Sequence, residues 1–101
     1  MKRPLKVKIL GKPYEIRYVA EDDSSLEGNN ALCIPDEQLI IMTDGLPRET
    51  EQDYLWHEIK HAVEAAMGLD LEDIVIQKLA TGEIAVIKDN PSLITYLRSK
   101  K

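Results

Sequence analysis

An α+β domain is what this sequence predicts, and three observations carry the prediction. Apolar and polar residues alternate over much of residues 5–42, a helical period takes over near Pro47, and a short glycine-marked turn then leads into a second helical stretch. The chain of 101 residues, 44% apolar and 31% charged, holds enough hydrophobic side chain for one core and too little for two, so residues 1–101 are expected to form a single domain. The expected architecture is a small, mainly antiparallel sheet of three or four strands, drawn from about residues 5–42. It packs on one helix over about 47–67 and a second over about 71–88.

Val7 to Leu10 and Tyr14 to Val19 both alternate, and Gly11-Lys12-Pro13 lies between them, which reads as a hairpin. Residues 21–30 are acidic, small and rich in turn formers and read as a surface loop. Ala31 to Ile34 and Gln38 to Met42 are apolar runs joined by Pro35-Asp36-Glu37, a second hairpin signal. Pro47 suits a first helical position, Glu49 and Glu51 suit a first turn, and Leu55, Ile59, Ala62, Val63 and Ala66 fall on one stripe. Gly68 occupies the place of a left-handed cap. In the second helix Ile76, Leu79, Ala80 and Val86 are the expected inner face, Asn90-Pro91 is the expected stop, and Ser92 to Tyr96 can add a last turn. Gly82 lies within that helix at a cost of about 1 kcal/mol relative to alanine, which implies either close packing or a break.

Composition excludes several classes. Cys33 is the single cysteine, so neither an intramolecular disulfide nor a thiolate zinc cluster can form; it is expected to be a buried small apolar residue. A formal net charge of −5 argues against nucleic acid as a partner, because phosphate neutralisation needs a basic surface. The charge is uneven: residues 1–17 carry Lys2, Arg3, Lys6, Lys8, Lys12 and Arg17, whereas residues 18–47 contain no Lys or Arg. The basic end is expected to be a solvated strand face and tail, with a docking patch as the alternative. The start leads into alternating residues rather than an apolar stretch of signal-peptide length, and no apolar run reaches membrane-spanning length. A cytoplasmic protein with no membrane partner is expected.

The chemistry is concentrated in His57-Glu58-Ile59-Lys60-His61. Imidazoles four residues apart stack on one helix face, where two nitrogen ligands can close on one ion. At about 100° per residue they point away from the Leu55–Ile59–Val63 stripe, toward a cleft. Glu58 projects near the edge of that face, within reach of a water on the metal rather than the metal itself. Zn2+ in such a three-ligand site acidifies its water, and Glu58 can take the proton as a peptide carbonyl is attacked. Isolated helical histidines are ordinarily solvated or hydrogen-bonded, but here the chain's only two histidines both fall in the motif, mid-helix and off the core stripe.

A third ligand has to come from elsewhere. The metzincin continuation is excluded, because Glu64 and Met67 stand where it requires Gly and His. A carboxylate near the second helix remains: Glu72 and Asp73 lie just beyond the turn and an antiparallel return brings them back toward the motif, whereas Glu83 is farther along. Glu64 is placed to support the ligands from behind. Tyr18, Tyr54, Tyr96 and Arg98 are candidates to stabilise an oxyanion.

With these residues the sequence resembles the small phage- and prophage-encoded zincin-like metallopeptidases related to the ImmA/IrrE group. The matching stretches are Gln38 to Met42, Glu49 through Asp53 into Tyr54 to Ala62, Leu79-Ala80-Thr81-Gly82, and Val86 through Asp89-Asn90-Pro91. The resemblance implies a minimal zincin-like fold, a zinc-dependent peptidase with Glu58 as general base, and a peptide or protein substrate such as a phage or host regulator, in a bacterial cell. It also implies a downstream glutamate ligand three residues before the first buried Val or Ile of the second helix. Counted back from Ile76 that position is Asp73, one methylene shorter, with Glu72 as the alternative. A zincin-fold regulatory or protein-binding module with structural zinc and little or no catalysis is the second expectation. Strand addition to Gln38 to Met42, as an edge beside the metal, is the expected mode of peptide docking.

Overall fold

The computed structural model describes residues 2–100. Four strands, β1 (Lys6–Ile9), β2 (Lys12–Val19), β3 (Ala31–Ile34) and β4 (Leu39–Thr43), precede three helices, α1 (Arg48–Met67), α2 (Asp73–Asp89) and α3 (Pro91–Arg98). The expected hairpins both form: β1 pairs antiparallel with β2, and β3 with β4. The first turns through Leu10 and Gly11, both at positive φ, as a two-residue primed turn requires; Lys12 and Pro13 already belong to β2.

The two hairpins join by a parallel pairing of β2 with β4, which gives a mixed sheet of order β1-β2-β4-β3. Two of the three pairings are antiparallel, so the sheet is mainly antiparallel, with one parallel join at its centre. That join corrects the expectation that Gln38 to Met42 is a free edge, because β4 has a neighbour on both sides and β3 is the outer strand. The reason is visible in β4 itself: Leu39–Thr43 is buried at all five positions, the pattern of a strand covered on both faces.

Ile40 and Met42 face α1 in a core with Ile9, Tyr14, Ile16 and Ala62, against which Leu55, Ile59 and Val63 pack. Leu39 and Ile41 face the other way and are covered by Leu26, fully buried in a 3-10 turn (Ser24–Leu26) of the acidic loop. The loop is mostly exposed surface, as expected, but Leu26 turns inward onto the second sheet face. Ala66, placed on the core stripe by periodicity, is exposed together with Ala65 and Met67, so the stripe ends before the last turn of α1.

Helix α1 begins one residue after Pro47, which caps it without a side-chain bond, and ends at Gly68 with φ 69. Helix α2 returns along α1 and packs chiefly on it, so one helix, not two, covers the sheet. A helix-on-helix contact buries only a narrow stripe. Ile76 and Ala80 are buried in it, while Leu79 and Val86, expected on the inner face, are 45% and 51% exposed. Leu79 and Val86 lie about 60–80° around the helix from Ile76 at 100° per residue, outside that stripe. Trp56 Nε1 donates to Glu83 Oε1 at 2.7 Å and Lys60 Nζ to Glu83 Oε2 at 3.0 Å, tying the two helices together. Gly82 neither breaks α2 nor permits a close approach, since a Cβ built there meets nothing within 4 Å. Asn90 stops α2 as expected, but residues 91–98 form a full helix of their own rather than one turn. At the opposite end Arg3 lies over the Tyr18 ring and pairs with Asp44 and Glu51, so part of the basic terminus is used inside the fold. Among the described residues no helix is long and apolar enough to cross a membrane.

Candidate metal centre

His57 and His61 lie one turn apart on α1, with ring centroids 4.7 Å apart. Their faces turn toward the first residue of α2, because Gly68 reverses the chain and the Gly68–Glu72 link is short. His57 Nε2 and His61 Nε2 are 3.0 Å apart, and Asp73 Oδ1 is 3.1 Å from the first and 3.0 Å from the second. Three ligand-type atoms thus converge on one point, and the group can hold a metal ion. In a tetrahedral shell with bonds of about 2.0–2.1 Å, ligand atoms stand about 3.3 Å apart, so the observed triangle needs to open by only a few tenths of an ångström. Glu72 caps α2 through its backbone and is not part of this group. Glu83 is committed to Trp56 and Lys60, away from the imidazoles.

Glu64, one turn beyond His61, accepts from His61 Nδ1 at 3.0 Å and also from the Leu71 backbone N–H. A proton held on Nδ1 leaves the Nε2 lone pair directed at the common point, which is how a carboxylate behind a histidine prepares it for a cation. Burial disfavours the His61 imidazolium, but Glu64, Asp73 and Glu58 outweigh it and raise the His61 pKa. For Asp73, burial acts upward and the two imidazoles act downward more strongly, so its carboxyl ionises below its ordinary range.

Among the described residues Glu58, on α1 facing β3, is the one buried charged side chain, 8% exposed. Burial pushes its pKa up from 4.5 to about 7; His61 pulls it down, Asp73 pushes it up, and a hydrogen bond from the Cys33 backbone pulls it down. A carboxyl that titrates near neutrality can both accept and return a proton. Cys33 is half-buried, packed against the core and also lining the cleft, and burial and Glu58 push its thiol pKa up to about 12 and keep it protonated. Its amide on Glu58 is the contact that residue patterns did not reveal. The uninterrupted apolar run of β4 was the available signal, since a central β4 puts β3 on the outside against α1.

A cleft of about 730 Å³ opens over the triad, with β3 and the preceding Asn29-Asn30 on one side and α1 on the other. Of the residues considered for an oxyanion, Tyr54 lines this cleft, and Asn30 Nδ2 donates to its hydroxyl at 3.5 Å. Tyr18 donates instead to the Pro4 carbonyl, and Tyr96 and Arg98 lie on α3, outside the cleft. Comparison of the chain with protein families, curated proteins and solved structures finds no match.

Proposed function

We propose that the chain is a zinc-dependent peptidase in which His57, His61 and Asp73 hold the metal and Glu58 is the general base. The observation that carries the reading is the convergence of two imidazole nitrogens and a carboxylate oxygen beside a buried glutamate whose pKa lies near 7. Zinc bound there supplies Lewis acidity, acidifying water and polarising a peptide carbonyl. Glu58 then takes the proton of the attacking water and returns it to the departing amine, a double duty suited to a carboxyl whose two forms are close in free energy. The Cys33 amide keeps the carboxylate aimed into the cleft.

Strand addition remains the proposed mode of docking, moved to β3. This strand has a partner on one side only, and Ala31, Leu32 and Cys33 line the cleft, so an extended peptide paired with it passes over the imidazoles. The resemblance to phage- and prophage-encoded zincin-like peptidases points the same way and makes a phage or host regulator in the bacterial cytoplasm the proposed substrate.

The second reading, a zincin-shaped regulatory module with a structural metal, is favoured by the Asp73 side chain, which is 73% exposed and so open to exchange with solvent. Incubation of zinc-loaded protein with a mixed peptide library separates the two. Cleavage that disappears with chelation and in Glu58→Gln is the expected result. A folded, zinc-saturated protein that cuts nothing leaves the module reading in its place.

A further inference from the structure

The charge of the cleft goes beyond what metal binding and proton transfer require. Asp53, Glu58, Glu64, Asp70 and Asp73 all line it, and among its described lining residues none is Lys or Arg. Three of the five have assigned partners: Glu58 has the Cys33 amide, Glu64 has His61 and the Leu71 N–H, and Asp73 has the two imidazoles. The other two differ in setting. Asp70 is exposed in the α1–α2 turn, whereas Asp53 is half-buried in the α1 wall. Among the described residues neither carboxylate has an ion pair or side-chain hydrogen bond. The opposite wall contributes no compensating cation, because the stretch from residue 18 to residue 47, which includes β3, has no Lys or Arg.

Asp53 precedes His57 by four residues, so it shares the imidazole face and lies about 6 Å along the helix from the first ligand. An extended peptide advances about 3.3 Å per residue, which puts Asp53 about two residues from the chain segment over the metal. A half-buried carboxylate without a partner is free to take a cation delivered by a ligand, and a charge-assisted bond to it is stronger than a neutral one.

We propose that Asp53 is a specificity-determining residue that binds a Lys or Arg side chain of the peptide in the cleft, about two residues from the metal, so that the preferred substrate is a basic segment. The proposal rests on the peptidase reading for the kind of ligand but is measured apart from it. Labelled peptides identical except for a central Lys, Arg, Gln or Glu are titrated by fluorescence anisotropy against zinc-saturated Glu58→Gln protein. Lys and Arg peptides are expected to bind about tenfold more tightly than the Gln peptide, with the advantage shrinking as salt rises. Asp53→Asn should remove most of that advantage at unchanged zinc affinity, Asp53→Lys should transfer it to the Glu peptide, and Asp22→Asn, which is not among the cleft's lining residues, should leave it intact.

Equal binding of the Lys and Gln peptides, no measurable binding of the Lys peptide, or an advantage that survives Asp53→Asn would each overturn the proposal. Cleavage by the unsubstituted protein distinguishes the two layers. Cutting without preference for basic peptides removes the assignment of Asp53 and leaves the peptidase reading; selective binding of basic peptides without cutting does the reverse.

Discussion

Replacing Glu58 by glutamine should stabilise the metal-free protein at neutral and alkaline pH, although it removes the proposed general base. The Glu58 pKa is 4.5 as an ordinary carboxyl and about 7 in the fold, where burial is the main cause. Below pH 4.5 both folded and unfolded chains carry the proton. Between 4.5 and about 7 the unfolded chain loses it while the folded chain retains it, so stability falls as pH rises; above about 7 both are ionised and the fall ends. The difference of about 2.5 pKa units corresponds to about 3 kcal/mol, a large share of the stability of a domain this small. Glutamine does not titrate and keeps a carbonyl for the Cys33 amide. Urea unfolding followed by Trp56 fluorescence, in chelator at pH 4.5 and pH 8, reads the effect: the variant's midpoint relative to the original should rise by about 1–3 M between the two. His61 and Asp73 titrate in both proteins, and because the Glu58 charge helps to raise the His61 pKa, the comparison reads Glu58 together with its pull on His61. Midpoints that move in parallel with pH would refute the claim that this carboxyl is held protonated by burial.

Three further outcomes are expected. Saturating zinc should raise the thermal midpoint, by about 2.7 kcal/mol of stabilisation at one hundred times the dissociation constant, and Asp73→Asn should abolish most of this while Glu72→Gln preserves it. Scanning calorimetry with and without zinc checks both. Glu64→Gln should weaken zinc binding by about 10- to 100-fold, measured by competition with a chromophoric chelator, because the His61 tautomer and orientation are no longer fixed. Gly82→Ala should stabilise the protein by about 0.5–1 kcal/mol in urea, since α2 is helical there and the added methyl meets nothing within 4 Å.

What could be read from the sequence was whatever depends on near neighbours. Alternation gives the β1–β2 hairpin, Pro35-Asp36-Glu37 gives the β3–β4 turn, and Pro47 and Gly68 bound α1 to within a residue. The one-turn spacing of His57 and His61, with a return shortly after Gly68, was enough to bring the Glu72-Asp73 pair toward the imidazoles; the choice of Asp73, which contacts both rings, came from the family resemblance. Strand order was not legible in the same way, because the β2–β4 join links segments separated by a loop and a strand, and nothing local distinguishes it from an edge-to-edge arrangement. The face of α2 was misread for a related reason. Leu79 and Val86 are apolar, but whether they are buried depends on whether a sheet or a single helix lies opposite.

The position of Asp73 depends on contacts far from the imidazoles. Its side chain is largely exposed and α2 has no sheet beneath it, so the approach of Oδ1 to both rings is set by how α2 is anchored along α1. That anchorage consists of the Ile76 and Ala80 stripe and, further along, the Glu83 carboxylate held by Trp56 and Lys60. Lys60 lies between the two histidines and Trp56 immediately before the first, yet both side chains turn to α2 while the imidazoles turn to the cleft. The same two turns of α1 therefore present one face to the triad and another to the clasp that keeps the third member of the triad in place. In so small a domain, folding and site assembly then become a single event, because no separate element exists to hold the site together if α2 lifts away from α1.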